Sequence, residues 1–307
     1  MSVTWNYKGK LALVTGSTKG IGRAILEIYL EAGANVIVHS RKQKEIDECV
    51  AELKKKYAAK SGTDETEQKS EKEKSHSNIY GFAADLTKPA DVSQIVAFIE
   101  KIGHLDILIN NAGAFYVKEF FELTDEDWFN LFDANVMSGV RLTRHFLKKM
   151  LEKDETTKKC KGGNVIFVSS EAGLRGLPQF VHYTSTKAAQ LNITRALAEL
   201  TRGVENVRVN ALLPGPTWTP GVEDSDYFTF VFFFPPLADM KGMAKRENIS
   251  VEDAVSNYFK HYEPNSLKQK FLTAEEVAQA CAFLTSDAAT SINGSSQKAE
   301  GGIVYHI

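Results

Sequence analysis

Leu11-Ala12-Leu13-Val14-Thr15-Gly16-Ser17-Thr18-Lys19-Gly20-Ile21-Gly22 is a short apolar run that breaks into a glycine cluster. Ile21, Ile25, Ile28 and Tyr29 then recur at helical spacing until Gly33, so the stretch reads as strand, turn and helix. The glycines follow a GxxxGxG pattern at the entry to the helix. Glycine lets a backbone turn sharply and come close to a ligand, while a helix N-terminus offers free N–H groups and partial positive charge. A pyrophosphate fits such a turn, which makes Gly16, Ser17, Thr18, Lys19, Gly20, Ile21 and Gly22 the expected seat of a dinucleotide. The same glycines could serve only to join a strand to a helix, and the rest of the chain has to separate the two cases.

Downstream the alternation continues. Val36–Val38, Ile79–Ala83, Leu105–Ile109, Asn164–Val168 and Val207–Leu212 read as buried strands, with a last short one near Ile303. Between them lie helices with their apolar residues at helical spacing, including one long helix at Trp128–Met150 and others at Tyr183–Leu200 and Ala274–Leu284. Seven short apolar strands separated by helices imply an α/β fold: a doubly wound parallel sheet covered on both faces, in three α/β/α layers.

Two segments interrupt the rhythm. Residues 60–78 contain no aliphatic side chain and five acidic residues against four lysines, which predicts a solvated polar insertion. Residues 218–270 separate the sixth strand from the last helix, and six of the eight positions from Tyr227 to Phe234 are aromatic.

Composition excludes several classes. Of 307 residues, 43% are hydrophobic and 25% charged, as in an ordinary globular chain. With 37 Lys+Arg against 39 Asp+Glu, the net charge of -2 gives no general attraction to nucleic acid or anionic lipid. No apolar stretch is long enough for a membrane-spanning helix, and the first residues lack the apolar region of a secretory signal. Cys49, Cys160 and Cys281 are far apart and form no metal-binding pair, so a cytoplasmic protein without a metal is expected.

The end of the second strand, Val38-His39-Ser40-Arg41-Lys42, carries no carboxylate. An acidic residue there would hold ribose hydroxyls and repel a 2′-phosphate, whereas Arg41 presents a planar fork of donors and Lys19 adds charge from the turn. NADP(H) is therefore favoured over NAD(H), with Ser40 and Arg41 at the 2′-phosphate; the alternative is that Arg41 and Lys42 merely begin a solvated helix.

These residues together resemble the short-chain dehydrogenase/reductase family over nearly the whole chain. The resemblance rests on Thr15–Gly22, Asp85-Leu86 after the third strand, Asn110-Asn111-Ala112-Gly113 after the fourth, Ser170 thirteen residues before Tyr183-Thr184-Ser185-Thr186-Lys187, and Pro214-Gly215 after the sixth strand. It implies one extended Rossmann domain over residues 1–307, with the 60–78 insertion and a substrate-loop lobe at 218–270. It also implies hydride transfer between NAD(P) and a carbonyl/alcohol pair, on a small-molecule substrate. Asn111, Ala112, Gly113, Asp85 and Leu86 would then serve the adenosine side, and Pro214, Gly215 and Thr217 the nicotinamide carboxamide.

Tyr183 and Lys187 stand at i and i+4 and share one helix face. A free phenol titrates near ~10, and a neighbouring ammonium is expected to favour the phenolate and make Tyr183 a usable acid/base. By resemblance, Lys187 also binds nicotinamide ribose, Ser170 hydrogen-bonds the substrate oxygen, and Asn135 completes the set through a proton relay. Spacing favours Ser170 over Ser169, and His182, one position from Tyr183, receives no catalytic role.

In the resembled fold the loop after the sixth strand covers the substrate, so Phe228, Phe230, Phe232, Phe233 and Phe234 could line a pocket for a hydrophobic substrate or pack an interface. Resemblance also implies a homodimer or homotetramer. Two alternatives stay open: an NAD-dependent alcohol dehydrogenase on the same fold, and a non-catalytic dinucleotide-sensing protein.

Overall fold

The computed structural model describes residues 4–60, 77–219 and 240–305. Residues 61–76 of the polar insertion and the whole Tyr227–Phe234 aromatic run lie outside these, so the readings placed on them are not addressed by the structure.

Seven parallel strands form one sheet in the order β3-β2-β1-β4-β5-β6-β7. They are β1 Leu11–Val14, β2 Asn35–Ser40, β3 Ile79–Ala83, β4 Ile107–Asn110, β5 Gly163–Val168, β6 Val207–Pro214 and β7 Ser296–Ala299. The chain builds outward from β1 to β3 and then returns to place β4 on the other side of β1. That reversal opens a crevice above the strand ends, where open α/β sheets bind ligands.

Helices α1 Gly20–Glu31 and α2 Gln43–Lys60 cover one face together with the helix Ala274–Thr285. Helices α3 Pro89–Ile102, α5 Ser138–Leu151 and α6 Val181–Glu199 cover the other. β1, β4 and the inner residues of β2 and β5 are buried on both faces, which is why their sequence is continuously apolar. The two chain ends are stitched together on the first face: the Tyr7 hydroxyl donates to Ala282 O at 2.5 Å, and the Tyr29 and Thr285 hydroxyls lie 3.0 Å apart.

Two expectations need correction. The last strand lies at Ser296–Ala299 rather than near Ile303; it is an edge strand paired only with β6, so its polar sequence costs little, and Ile303 is buried in the loop beyond it. The long helix expected at Trp128–Met150 is divided into α4 Asp125–Phe132, a π-helical turn Asp133–Met137, and α5. The wider turn carries Asn135 inward.

A third, smaller core gathers Met240, Met243, Tyr258, Phe259 and Phe271, with Trp218 packed against it, around the helices Met240–Glu247 and Val251–His261. A parallel bridge between Thr217 and Leu272 ties this lobe to the end of β6.

Candidate active site

The glycine turn leaves β1 at Thr15, whose hydroxyl accepts from the N–H groups of Asn111 (2.9 Å) and Ala112 (2.8 Å). The Asn111 amide donates to Thr15 O at 2.8 Å and Gly16 O at 3.1 Å. Gly22 permits this closeness, since a Cβ there would stand 2.5 Å from Gly16 O and 2.6 Å from Asn111 Nδ2. The turn packs so closely on the first residues of α1 that only glycine fits at position 22, and Lys19–Gly22 line the cavity at the helix N-terminus, a cradle that suits a pyrophosphate.

His39, unassigned in the sequence, braces the cradle from β2. Its Nδ1 accepts from Gly16 N at 3.1 Å, so Nε2 carries the proton and donates to Ala84 O at 3.1 Å. Ser17 faces the same way: its hydroxyl accepts from His39 N and its N–H donates to His39 O. Burial pushes the His39 imidazole down to about 4, well below its usual 6.5, so at neutral pH it is uncharged.

The catalytic candidates meet on the opposite wall. Tyr183 and Lys187 project from α6, while Ser170 follows β5 and its hydroxyl accepts from Ala172 N at 3.1 Å, capping a turn of 3₁₀ helix. That bond uses a lone pair and leaves the Ser170 O–H to act as donor toward the Tyr183 hydroxyl. The Ser169 hydroxyl donates to Lys187 O and is spent on structure. Asn135 works through its side chain: Oδ1 accepts from Ala114 N at 2.7 Å, and Nδ2 donates to Ala114 O at 2.9 Å and Thr186 Oγ1 at 3.0 Å. It thus pins the loop segment after Gly113 to α6, and Gly113 is favoured there because a Cβ would lie 2.9 Å from Asn135 Oδ1.

The expected lowering of the Tyr183 phenol is not what this arrangement gives. Burial pushes the phenol up to about 12, with the Ser170 hydroxyl acting against that. The Lys187 ammonium lies 5.6 Å from the Tyr183 ring centroid and donates to Val168 O at 3.0 Å. Burial brings that amine down to about 8. Before ligands bind, desolvation therefore outweighs the ion–phenol attraction, and Tyr183 is held as the acid. Phe115 and Phe180 meet its ring edge-on, at centroid distances of 6.1 and 6.2 Å.

A cavity of about 320 Å³ joins the two walls. Of the sequence candidates it is lined by Lys19, Gly20, Ile21, Gly22, Asn111, Gly113, Ser170, Tyr183, Lys187, Pro214, Gly215 and Thr217, and the structure adds Phe115 and Thr219. Other candidates turn to the protein itself. Asp85 holds Thr87 N and Oγ1, and Leu86 is buried in the second core. At the far end of the turn Arg41 is exposed, and the Ser40 hydroxyl donates to Glu45 Oε2, a carboxylate that the sequence reading did not consider. Its signal was an acidic residue in the first turn of α2. His182 is buried away from the cavity against Tyr116 and Trp128, at centroid distances of 4.6 and 6.3 Å.

A parallel doubly wound sheet whose switch-point crevice holds a glycine cradle beside a Ser-Tyr-Lys group defines a Rossmann-type oxidoreductase. The particular lineage follows from comparison: residues 10–227 match the family model described as short chain dehydrogenase, and the chain belongs to that family. The uncharacterized oxidoreductase YvrD of Bacillus subtilis (strain 168) is 41% identical over 297 residues, 97% of each chain. D-beta-hydroxybutyrate dehydrogenase of Rhizobium meliloti (strain 1021) is 27% identical over 95% of this chain and 98% of its own. Among solved structures, L-sorbose reductase of Gluconobacter frateurii, complexed with NADPH and L-sorbose, superposes with a TM-score of 0.79 at 25% identity, covering 99% of this chain and 100% of that one.

Proposed function

We propose that this protein is an NADP(H)-dependent oxidoreductase acting on a ketone/secondary alcohol pair, with Tyr183 as general acid/base. The observation that carries this reading is that Ser170, Tyr183 and Lys187 line the same cavity as Lys19, Gly20, Ile21 and Gly22. The cradle fits a pyrophosphate, and the L-sorbose reductase that resembles this chain is complexed with NADPH.

When bound, the nicotinamide supplies or accepts the hydride. With substrate bound, the Ser170 O–H donates to the substrate oxygen and holds it near the Tyr183 hydroxyl. In the reductive direction Tyr183 gives its proton to that oxygen as negative charge grows there, and in the oxidative direction it takes a proton back. The Lys187 ammonium supports the phenolate left behind and offers donors to ribose hydroxyls, while Phe115 and Phe180 keep the Tyr183 ring in place. Asn135 acts as a pin between the Gly113–Ala114 backbone and α6. Pro214, Gly215 and Thr217 form the edge where the nicotinamide carboxamide would lie.

A cytoplasmic setting is part of the proposal, and all three cysteines are free. So is a homo-oligomer, which would cover rings such as Phe121 and Phe129, 95% and 72% exposed. Sedimentation velocity tests the latter, with a monomer as the contrary result. The function itself is tested by fluorescence titration with NADPH and NADH, followed by a panel of carbonyl substrates in the same cuvette. Tight NADPH binding with oxidation on adding a ketone supports it. Binding without turnover on any member points to the sensor alternative, and NADH preference points to the NAD-dependent one.

A further inference from the structure

One of the groups expected at a 2′-phosphate, Ser40, and the neighbouring Lys42 are already engaged with an anion of the protein's own. The Ser40 hydroxyl donates to Glu45 Oε2 at 2.7 Å, and Lys42 Nζ lies 3.1 Å from Glu45 Oε1. The Ser40 bond, the Lys42 contact and the charge of Lys19 across the glycine turn hold the Glu45 carboxyl below the usual carboxylate range. Arg41 makes no contact with Glu45 and stays exposed beside it. Two local donors, Ser40 and Lys42, thus converge on one carboxylate at the N-terminal turn of α2.

We propose that Glu45 is a specificity-determining residue: its carboxylate occupies Ser40 and Lys42 as a stand-in for the 2′-phosphate and must release them when a 2′-phosphorylated dinucleotide binds. This rests on the NADP(H) assignment above. A carboxylate and a phosphate monoester recruit the same hydroxyl and ammonium donors, the phosphate with more charge and one more oxygen. The two anions repel each other within a few ångströms, so they do not share the donors. A dinucleotide with a free 2′-hydroxyl carries no such conflict, since a hydroxyl donates to a carboxylate. The Glu45 side chain is 40% exposed, so it swings into water instead of blocking entry, and an exposed ion pair of this kind is worth little. Glu45 therefore sets a ratio between the two cofactors and does not exclude either.

The test is Glu45→Gln in the full chain, titrated with NADPH and NADH beside the unaltered protein, with the melting temperature followed to verify folding. Glu45→Ala serves as the second variant if Gln retains the Ser40 bond. The NADPH Kd is expected to tighten roughly three- to tenfold, with the NADH Kd moving less than about twofold. Equal tightening for both cofactors overturns the proposal, as does an unchanged NADPH Kd in both variants, and so does weaker NADH binding, which would make Glu45 a ribose ligand. If the unaltered protein prefers NADH, the NADP(H) assignment fails; selective tightening for NADPH in the variant then still upholds the role of Glu45, and no change removes both.

Discussion

The glycine turn and the lobe beyond β6 are held by different forces. The turn is fixed by short neutral contacts: Asn111 on two carbonyls, the Thr15 hydroxyl on two N–H groups, and an uncharged His39 joining Gly16 to Ala84. The lobe is fastened by charge. Arg175 meets Glu171 at 2.6 Å on the loop after Ser170, and reaches Glu263 at 2.6 Å just past the helix Val251–His261. Both carboxylates are nearly buried, and burial pushes Glu171 up against the pull of Arg175. Neutral short-range bonds give a fixed template for a ligand part that never varies. One half-buried arginine joining two elements makes a fastening whose loss loosens the lobe while leaving the turn intact, so the comparison teaches that the two regions can be perturbed separately in this molecule.

Tyr183→Phe sits at the seam and gives the largest effect: turnover is expected to fall by about 10³-fold or more with the NADPH Kd within a few fold. Steady-state rates and titration check it, and substantial remaining turnover would remove the assigned role. Gly22→Ala attacks the turn alone, because its Cβ would lie 2.5 Å from Gly16 O. The dinucleotide Kd should weaken by roughly a hundredfold, for an overpacking cost of about 1–3 kcal/mol, while amide exchange in Val251–His261 stays unchanged.

Arg175→Met attacks the lobe alone and leaves two buried carboxylates without their cation. Substrate KM should rise by about tenfold and exchange in Val251–His261 should quicken, with the NADPH Kd unchanged; a weakened cofactor would show that the regions are not separable. The last effect concerns stability and reads as a slope with pH. His39 has a folded value of about 4 against 6.5 when free, so between these the unfolded chain binds the extra proton and stability falls as pH drops. On the order of 3 kcal/mol is at stake by pH 4, from that difference. Denaturation of the unaltered protein and His39→Gln at pH 7 and pH 4.5 isolates it, since a slope equal in both would place the acid sensitivity elsewhere.

What was legible in the sequence was periodic or contiguous. The buried strands announce themselves through unbroken apolar runs, and the turn through its glycines. Tyr183 and Lys187 are joined by helical spacing, and the structure puts both on the cavity wall with Ser170. What was not legible depends on contacts between distant residues. Arg175 and Glu263 are 88 positions apart, and neither is unusual where it stands. His39 reads as an ordinary strand residue until β1 and β3 are beside it. The π-turn that sets Asn135 leaves no periodic signal, and β7 escaped notice because an edge strand needs little apolar surface. The Phe228–Phe234 cluster remains a proposal about the pocket or an interface.

The stitching of the chain ends bears on how the protein is made. The apolar face of α1 is covered by the helix Ala274–Thr285, and Tyr29 reaches Cys281 across 252 positions. A ribosome adding 5–20 residues per second emits the first βα unit roughly 10–50 s before that cover exists. During this interval Ile25, Leu26 and Tyr29 have no native partner on the far helix, so the nascent chain offers a sticky surface to holding chaperones. A truncation within Ala274–Thr285 would extend that exposure permanently, and a lesion late in the chain would then be felt on the apolar face of α1, near its start.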